Sequence, residues 1–324
     1  MKSEKSTRDF YFDTLKGFLI LSVIIGNSIE LASPQNVDTH YFLLFLYMFH
    51  MPMFTFVSGY FSKLSKRTTV QKVTSTFKLY FFAQLFYIIF YKYILRSSGY
   101  KFEFMYPQWT LWYLLSLTCW YILGDYIKDK KKWLIGAIIV SLIAGFDNSI
   151  GSLGSMERTL FYFPFFIAGM AFDKKYVEVL KRHRIKLLIS SAIVLILLYV
   201  FSKDIKLEFL FELFSYSAAN EDILLPPFLT RIFHYGGAFV IGTFILTLVP
   251  NFKTILSPLG KNSLILYLSH AAVCNILIGV GIARYNNLIE LILSEIIIVC
   301  ATIIITDVFL KLKEKIINKK SSII

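Results

Sequence analysis

Apolar residues in this chain come in long blocks, separated by short stretches rich in charge. Ten of these blocks approach the length a helix needs to cross a bilayer, about 20 residues. They run roughly over 14–31, 41–62, 77–96, 109–127, 133–149, 159–173, 185–201, 228–249, 262–281 and 287–310. Only a helix closes every backbone hydrogen bond within one such segment, so the pattern predicts helices and no sheet. The fold class is therefore all-α: a polytopic membrane protein of about ten transmembrane helices. No loop is long enough to fold alone, so one membrane domain is expected over 1–324, with a basic cytoplasmic tail over 312–324. The first block lacks a small-residue cleavage site and carries Asp13 and Lys16 at its start, so it is expected to remain as a helix.

Charge changes the picture in one respect. The chain carries a formal net charge of +13, which in a soluble protein would suggest nucleic acid. Here the basic residues alternate by side: 26 of the 34 Lys and Arg fall on the side that includes the N-terminus, the 63–78 loop and the tail from 311. That asymmetry places both termini in the cytoplasm and excludes a nucleic-acid partner. The runs Lys130-Lys131-Lys132 and Lys181-Arg182-His183-Arg184 read as anchors for anionic headgroups. The segment 202–227 is comparatively acidic, with Asp204, Glu208, Glu212, Glu221 and Asp222. Cys119, Cys274 and Cys300 lie inside apolar blocks without metal-ligand spacing and read as small buried hydrophobes. No metal site is expected.

The polar residues inside the blocks carry the candidate chemistry. His50 sits in the middle of the second block, two residues before Pro52. A histidine at that depth is costly and is a functional-site hypothesis by default, and the proline frees a backbone carbonyl. Asp13 and Lys16 lie three residues apart on one helix face, where they can pair. Asn27 follows Lys16 by eleven residues, about 16 Å further along, with Ser28 and Glu30 extending a polar side. Trp109, Trp112 and Tyr113 open the fourth block. Arg158 opens the sixth, Arg231 and His234 open the eighth, and Tyr267 and His270 lie in the ninth. A set of such groups argues for a polar cavity. Arginines suit anionic groups and neutral histidines suit proton transfer. Interfacial snorkelling is the alternative for Arg158 and Arg231, and a structural histidine the alternative for His50.

In order and spacing, these residues resemble the acyltransferase 3 family of integral membrane acyltransferases, and its fucose 4-O-acetylase-like branch in particular. The resemblance covers nearly the whole chain. It rests on Asp13-Thr14-Leu15-Lys16-Gly17, Phe49-His50-Met51-Pro52 with Ser58-Gly59-Tyr60, and Leu111-Trp112-Tyr113-Leu114. Arg158 with Phe163-Pro164-Phe165-Phe166 and Gly169 continues it, as does Leu259-Gly260-Lys261-Asn262-Ser263 leading to Tyr267-Leu268-Ser269-His270. It implies a ten-helix domain that takes an acyl group, usually acetyl from cytoplasmic acetyl-CoA, and delivers it to a hydroxyl of a surface polysaccharide or lipid-linked sugar. No bound cofactor is implied; acetyl-CoA or another acyl-CoA is the co-substrate. Membrane lipids, the acyl-CoA and the glycan acceptor are the expected partners, and a homodimer is left open.

The expected assignments follow from that resemblance. His50, Asn27 and His270 are the catalytic candidates, with His50 the preferred base. Asp13, Lys16, Lys66, Arg67 and Lys72 are the donor-binding candidates. Glu30, Trp112, Arg158, Arg231, His234 and Tyr267 are expected to line the acceptor cavity. Two departures stand out. The family carries a histidine eleven residues after the first-block basic residue, where this chain has Asn27, which cannot act as a base near neutral pH. Its paired-arginine motif is here the looser Lys63-Leu64-Ser65-Lys66-Arg67. An exporter of polysaccharide or lipid-linked sugar and a non-catalytic relative therefore stand as alternative readings. The plasma membrane of a bacterium is the expected location.

Overall fold

Each of the ten expected blocks is occupied by a helix. The computed structural model describes residues 9–96, 105–147, 153–211, 215–216 and 226–321, and regular structure among them is entirely helical. The helices are α1 (Phe10–Ala32), α2 (His40–Leu64), α3 (Thr69–Ile89), α4 (Trp112–Gly124), α5 (Lys130–Ala144), α6 (Met156–Ala171), α7 (Tyr176–Arg182), α8 (Arg184–Val200), α9 (Leu207–Leu210), α10 (Pro227–Leu248), α11 (Ser257–Lys261), α12 (Ser263–Gly279) and α13 (Leu288–Ser321). Local chemistry sets several starts. Asp9 caps α1 by accepting from Tyr11 N, Thr68 and Gln71 form a reciprocal capping box on α3, and Asp129 accepts from the Lys131 and Lys132 amides at the head of α5. Glu212, Glu221 and Asp222 of the acidic segment lie outside the described residues.

Length separates the helices into two groups. Five are long and apolar enough to cross a membrane: α1, α2, α3 with its π-helical extension to Ile94, α10, and α13 over Leu288–Ile316. The α7–α8 pair, bent by 77°, counts as a sixth if taken as one span. The helices α4, α5 and α6 have 13, 15 and 16 residues and α12 has 17, short of the ~20 that a bilayer core requires. The expectation of about ten spans thus becomes, in the structure, an all-helical chain with five or six helices of crossing length. The apolar sides of these helices are not all covered by protein. On α3, Phe82 is 65% exposed and Phe86 52%, and on α13, Ile304 is 62% exposed. Such continuous apolar exposure requires an apolar solvent.

The described helices form two compact units, one joining residues 1–39 to 248–324 and the other spanning 40–247. In the first unit, α1 packs against α11, α12 and α13. A methyl group on Gly17 would overlap the Leu256 carbonyl, and one on Gly260 would overlap the Asp13 carbonyl, so the backbones of α1 and α11 touch. Thr14 Oγ1 lies 2.9 Å from Thr254 Oγ1 and 3.0 Å from Ser257 Oγ, which ties the same crossing with hydroxyls. In the second unit, α2 packs most extensively on α6, which also meets α5 and α4. Its closest crossing is built in the same way: a methyl on Gly59 would overlap the Phe166 carbonyl, and one on Gly169 the Phe56 carbonyl. Small residues that let backbones approach are a recurrent solution where lipid removes the hydrophobic drive between helices.

The cysteine expectation needs correction. Cys274 is buried, but Cys119 is half-buried and Cys300 is exposed on α13. Position in an apolar block sets hydropathy, whereas the side facing lipid or protein is set by packing.

Candidate functional site

Among the described residues, buried polar side chains gather in each of the two units. The first cluster is organised by α1, α12 and α13. His270 is fully buried on α12. Its Nδ1 donates to the Tyr267 carbonyl at 2.7 Å, one turn back on the same helix. A carbonyl can only accept, so the neutral ring carries its proton on Nδ1 and its lone pair on Nε2. Asn27 Nδ2 on α1 lies 3.0 Å from that Nε2 and donates to it. The site thus holds one imidazole in one tautomer, with its basic nitrogen facing the amide of Asn27.

One residue further along α1, Ser28 Oγ donates to Glu295 Oε2 at 2.6 Å. Tyr285 OH donates to the other carboxylate oxygen at 2.9 Å. Glu295 is only 7% exposed, within the most apolar stretch of α13. Burial, and then the neighbouring carboxylate, hold the Tyr285 phenol well above its usual range. Toward the start of α1, Lys16 Nζ pairs with Asp13 Oδ1 at 3.1 Å, as their spacing predicts. Glu30 and Tyr267 are half-buried.

The second cluster belongs to the other unit. His50 is 1% exposed on α2, and its Nδ1 donates to the Leu46 carbonyl at 2.5 Å. The helix runs on through Pro52. Aromatic rings surround this imidazole, with Tyr47 at 4.6 Å and Phe49 at 6.5 Å between centroids. His234 of α10 is fully buried against the Phe161 ring at 4.8 Å, and it lies within electrostatic reach of His50. Arg231 does not snorkel: it and Glu157 are each 4% exposed and form an ion pair at 2.7 Å. Arg231 also donates to the Ser141 carbonyl, and Tyr235 OH meets Ser141 Oγ and the Phe161 carbonyl. The half-buried Arg158 donates through Nε to the Phe211 carbonyl at 2.8 Å and lies 4.9 Å from the Trp112 ring, which stacks on Tyr162.

The basic loop between α2 and α3 is held largely by local bonds. Lys72 donates to the Ser62 carbonyl at 2.8 Å, Arg67 reaches Ser75 Oγ at 3.5 Å, and Lys66 and Arg67 are exposed. The structure therefore brings Asn27 together with His270, and sets His234 against Phe161. It pairs Arg231 with a residue that the sequence reading left out.

Comparison with known proteins adds the family. A family model described as an acyltransferase domain matches residues 9–311. The chain belongs to the acyltransferase 3 family. It is also similar to nodulation protein NolL from Sinorhizobium fredii (strain NBRC 101917 / NGR234), at 40% identity over 58 residues, which are 17% of this chain and 16% of that protein. The NolL of Mesorhizobium japonicum (strain LMG 29417 / CECT 9101 / MAFF 303099) is 42% identical over 60 residues, covering 18% of this chain and 16% of that protein. The similarity thus spans about a sixth of each of these relatives. No solved structure matches the chain.

Within this family member, the sequence reading missed Glu295, Tyr285 and Glu157. Glu295 had a usable signal: it is a lone carboxylate in the run Ile292-Leu293-Ser294-Glu295-Ile296-Ile297-Ile298, and the depth argument applied to His50 applies to it equally. Tyr285 and Glu157 had none, since each gains meaning only from the partner that the fold supplies.

Proposed function

We propose that the protein is a membrane O-acyltransferase that moves an acyl group, acetyl in the first instance, from a cytoplasmic acyl-CoA to a hydroxyl of a surface polysaccharide or lipid-linked sugar. One observation carries this reading: the 3.0 Å contact between Asn27 Nδ2 and the lone-pair nitrogen of His270, inside a chain of this family. It joins a base to an amide donor, the two groups that acyl transfer to an alcohol needs. In the proposed reaction the acceptor hydroxyl takes the place of the Asn27 amide at His270 Nε2. The amide N–H is then freed to face the thioester carbonyl. Nε2 takes the hydroxyl proton as the oxygen attacks the thioester carbon, and Asn27 Nδ2–H stabilises the oxyanion. Collapse expels the CoA thiolate, which receives the proton from the imidazolium. The histidine missing from position 27 is thereby replaced in function by one on α12.

His50 stood first from the sequence alone. What favours His270 is its polar company, since Asn27 faces its lone-pair nitrogen whereas the ring neighbours of His50 are Tyr47 and Phe49. Lys16 with Asp13, and Lys66, Arg67 and Lys72, are proposed to attract the CoA phosphates. Glu30 and Tyr267, half-buried in the same unit as His270, are proposed to border the acceptor, whereas Arg231 is closed by Glu157 and His234 packs on Phe161. The membrane arrangement goes with this proposal: ten spans and both termini in the cytoplasm, supported by the side-to-side charge asymmetry, in the plasma membrane of a bacterium.

The test is release of free CoA from acetyl-CoA by the full chain in nanodiscs, with a crude surface glycan fraction as acceptor. Turnover is expected in the wild type and its loss in His270→Ala. Unchanged turnover in folded His270→Ala would overturn the role of His270. Acceptor crossing vesicle membranes with no acyl-CoA consumed would favour export instead.

A further inference from the structure

A groove of about 400 Å³ opens between α4, α5 and α6 in the second unit. Its floor is one face of α5, where Trp133, Gly136, Ala137 and Val140 recur at the spacing that aligns side chains along a helix. Leu123 of α4 and Phe163 of α6 form its sides. The concavity comes from Gly136 and Ala137: a Cβ built on Gly136 meets nothing within 4 Å. Every lining side chain is apolar except Lys132, at one end. Lys130 and Lys131 extend that positive end, and all three are exposed. Asp129 occupies the amides at the head of α5 and lies 3.9 Å from Lys132 Nζ, so an incoming anion would meet lysine side chains rather than backbone N–H groups.

From Lys132 to Val140 the groove rises about 12 Å along α5. That is close to the hydrocarbon depth of one leaflet, about half of ~30 Å. A slot of leaflet depth, apolar along its length and cationic at its interfacial end, has the shape and charge of a single lipid. We propose that this groove is a binding site for one anionic phospholipid, its acyl chain lying on Gly136 and Ala137 and its phosphate held by Lys131 and Lys132. The site is independent of the acyl-transfer chemistry and uses none of the residues assigned to it.

The experiment is photo-crosslinking of the full chain in nanodiscs that contain diazirine-tailed phosphatidylglycerol, with phosphatidylcholine of the same tails as the comparison. Labelled residues are mapped by mass spectrometry. The expected result is labelling concentrated on 133–140 with phosphatidylglycerol preferred, and a preference that drops about fivefold on Lys132→Gln. Gly136→Phe fills the slot and is expected to abolish labelling there while leaving the exposed face of α8 labelled. Equal labelling by both lipids, or labelling of 133–140 that survives Gly136→Phe, would overturn the proposal. So would a dimer that Gly136→Phe dissolves, which would place a second copy of the chain in the groove.

Discussion

Among the described residues each unit buries one glutamate, and the two are held in opposite ways. Glu157 faces Arg231 at 2.7 Å, with both side chains nearly inaccessible, so its charge is cancelled where it lies. Glu295 is held by two neutral donors, Ser28 and Tyr285, and no cation pairs with it among the described residues. A buried ion pair with further hydrogen bonds is a closed arrangement that fixes helices to one another. A carboxyl group held only by hydroxyls has no cation to offset its ionisation in an apolar stretch, a costly arrangement typical of functional positions. The histidines divide in the same way. Both imidazoles donate to a carbonyl one turn back, but His270 also faces the Asn27 amide, while His50 packs against the Tyr47 ring. The contrast teaches that burial alone does not mark a site; what surrounds the buried group does.

The contrast can be broken most directly by activity. His270→Ala is expected to lower acyl transfer by about 10²–10⁴-fold, the usual worth of a positioned acid–base group, while His50→Ala costs less than about tenfold. Comparable losses would erase the distinction between the units. Stability gives the second largest effect. Arg231→Met removes the cation that faces the buried Glu157, at an expected cost of about 3–5 kcal/mol. Replacing both residues, as Arg231→Met with Glu157→Leu, should recover most of it in thermal unfolding of detergent-solubilised protein. If the double variant is no better than the single, the pair does more than hold helices together.

The two glycine crossings offer a third comparison, because they are alike where the clusters differ. Gly17→Ala and Gly59→Ala should each destabilise by at least the ~1–3 kcal/mol of an overpacked core, by similar amounts. Indifference of one crossing to its alanine would show that it can yield. Glu295→Gln keeps the size of the side chain but ends its acceptance of two hydroxyls on equal terms. A loss of about 10–100-fold in turnover is expected with little change in unfolding temperature, the reverse of the Arg231→Met pattern. The smallest stability effect should come from Lys16→Ala, about 1 kcal/mol, because the lysine is 23% exposed although Asp13 is nearly buried, and its loss should also raise the KM for acyl-CoA.

Much of this could be read directly from the chain. The helical blocks were legible because apolar runs of bilayer length admit few other structures, and every expected block holds a helix. The Asp13–Lys16 pair was legible because three residues span one turn. The glycines at 17, 59, 169 and 260 stood out as parts of the family resemblance, but their purpose did not. Only the packed helices show that each admits a neighbouring carbonyl.

The sequence by itself thus determined the helical class, the membrane setting and the family, since these follow from local hydropathy, charge and motif order. Tertiary structure decided which polar residues meet. Asn27 and His270 are separated by 243 positions, and Ser28 and Glu295 by 267. Nothing in local periodicity encodes contacts over such distances. They arise because α1 crosses α11 with backbones touching and packs against α12 and α13, which carry His270 and Glu295.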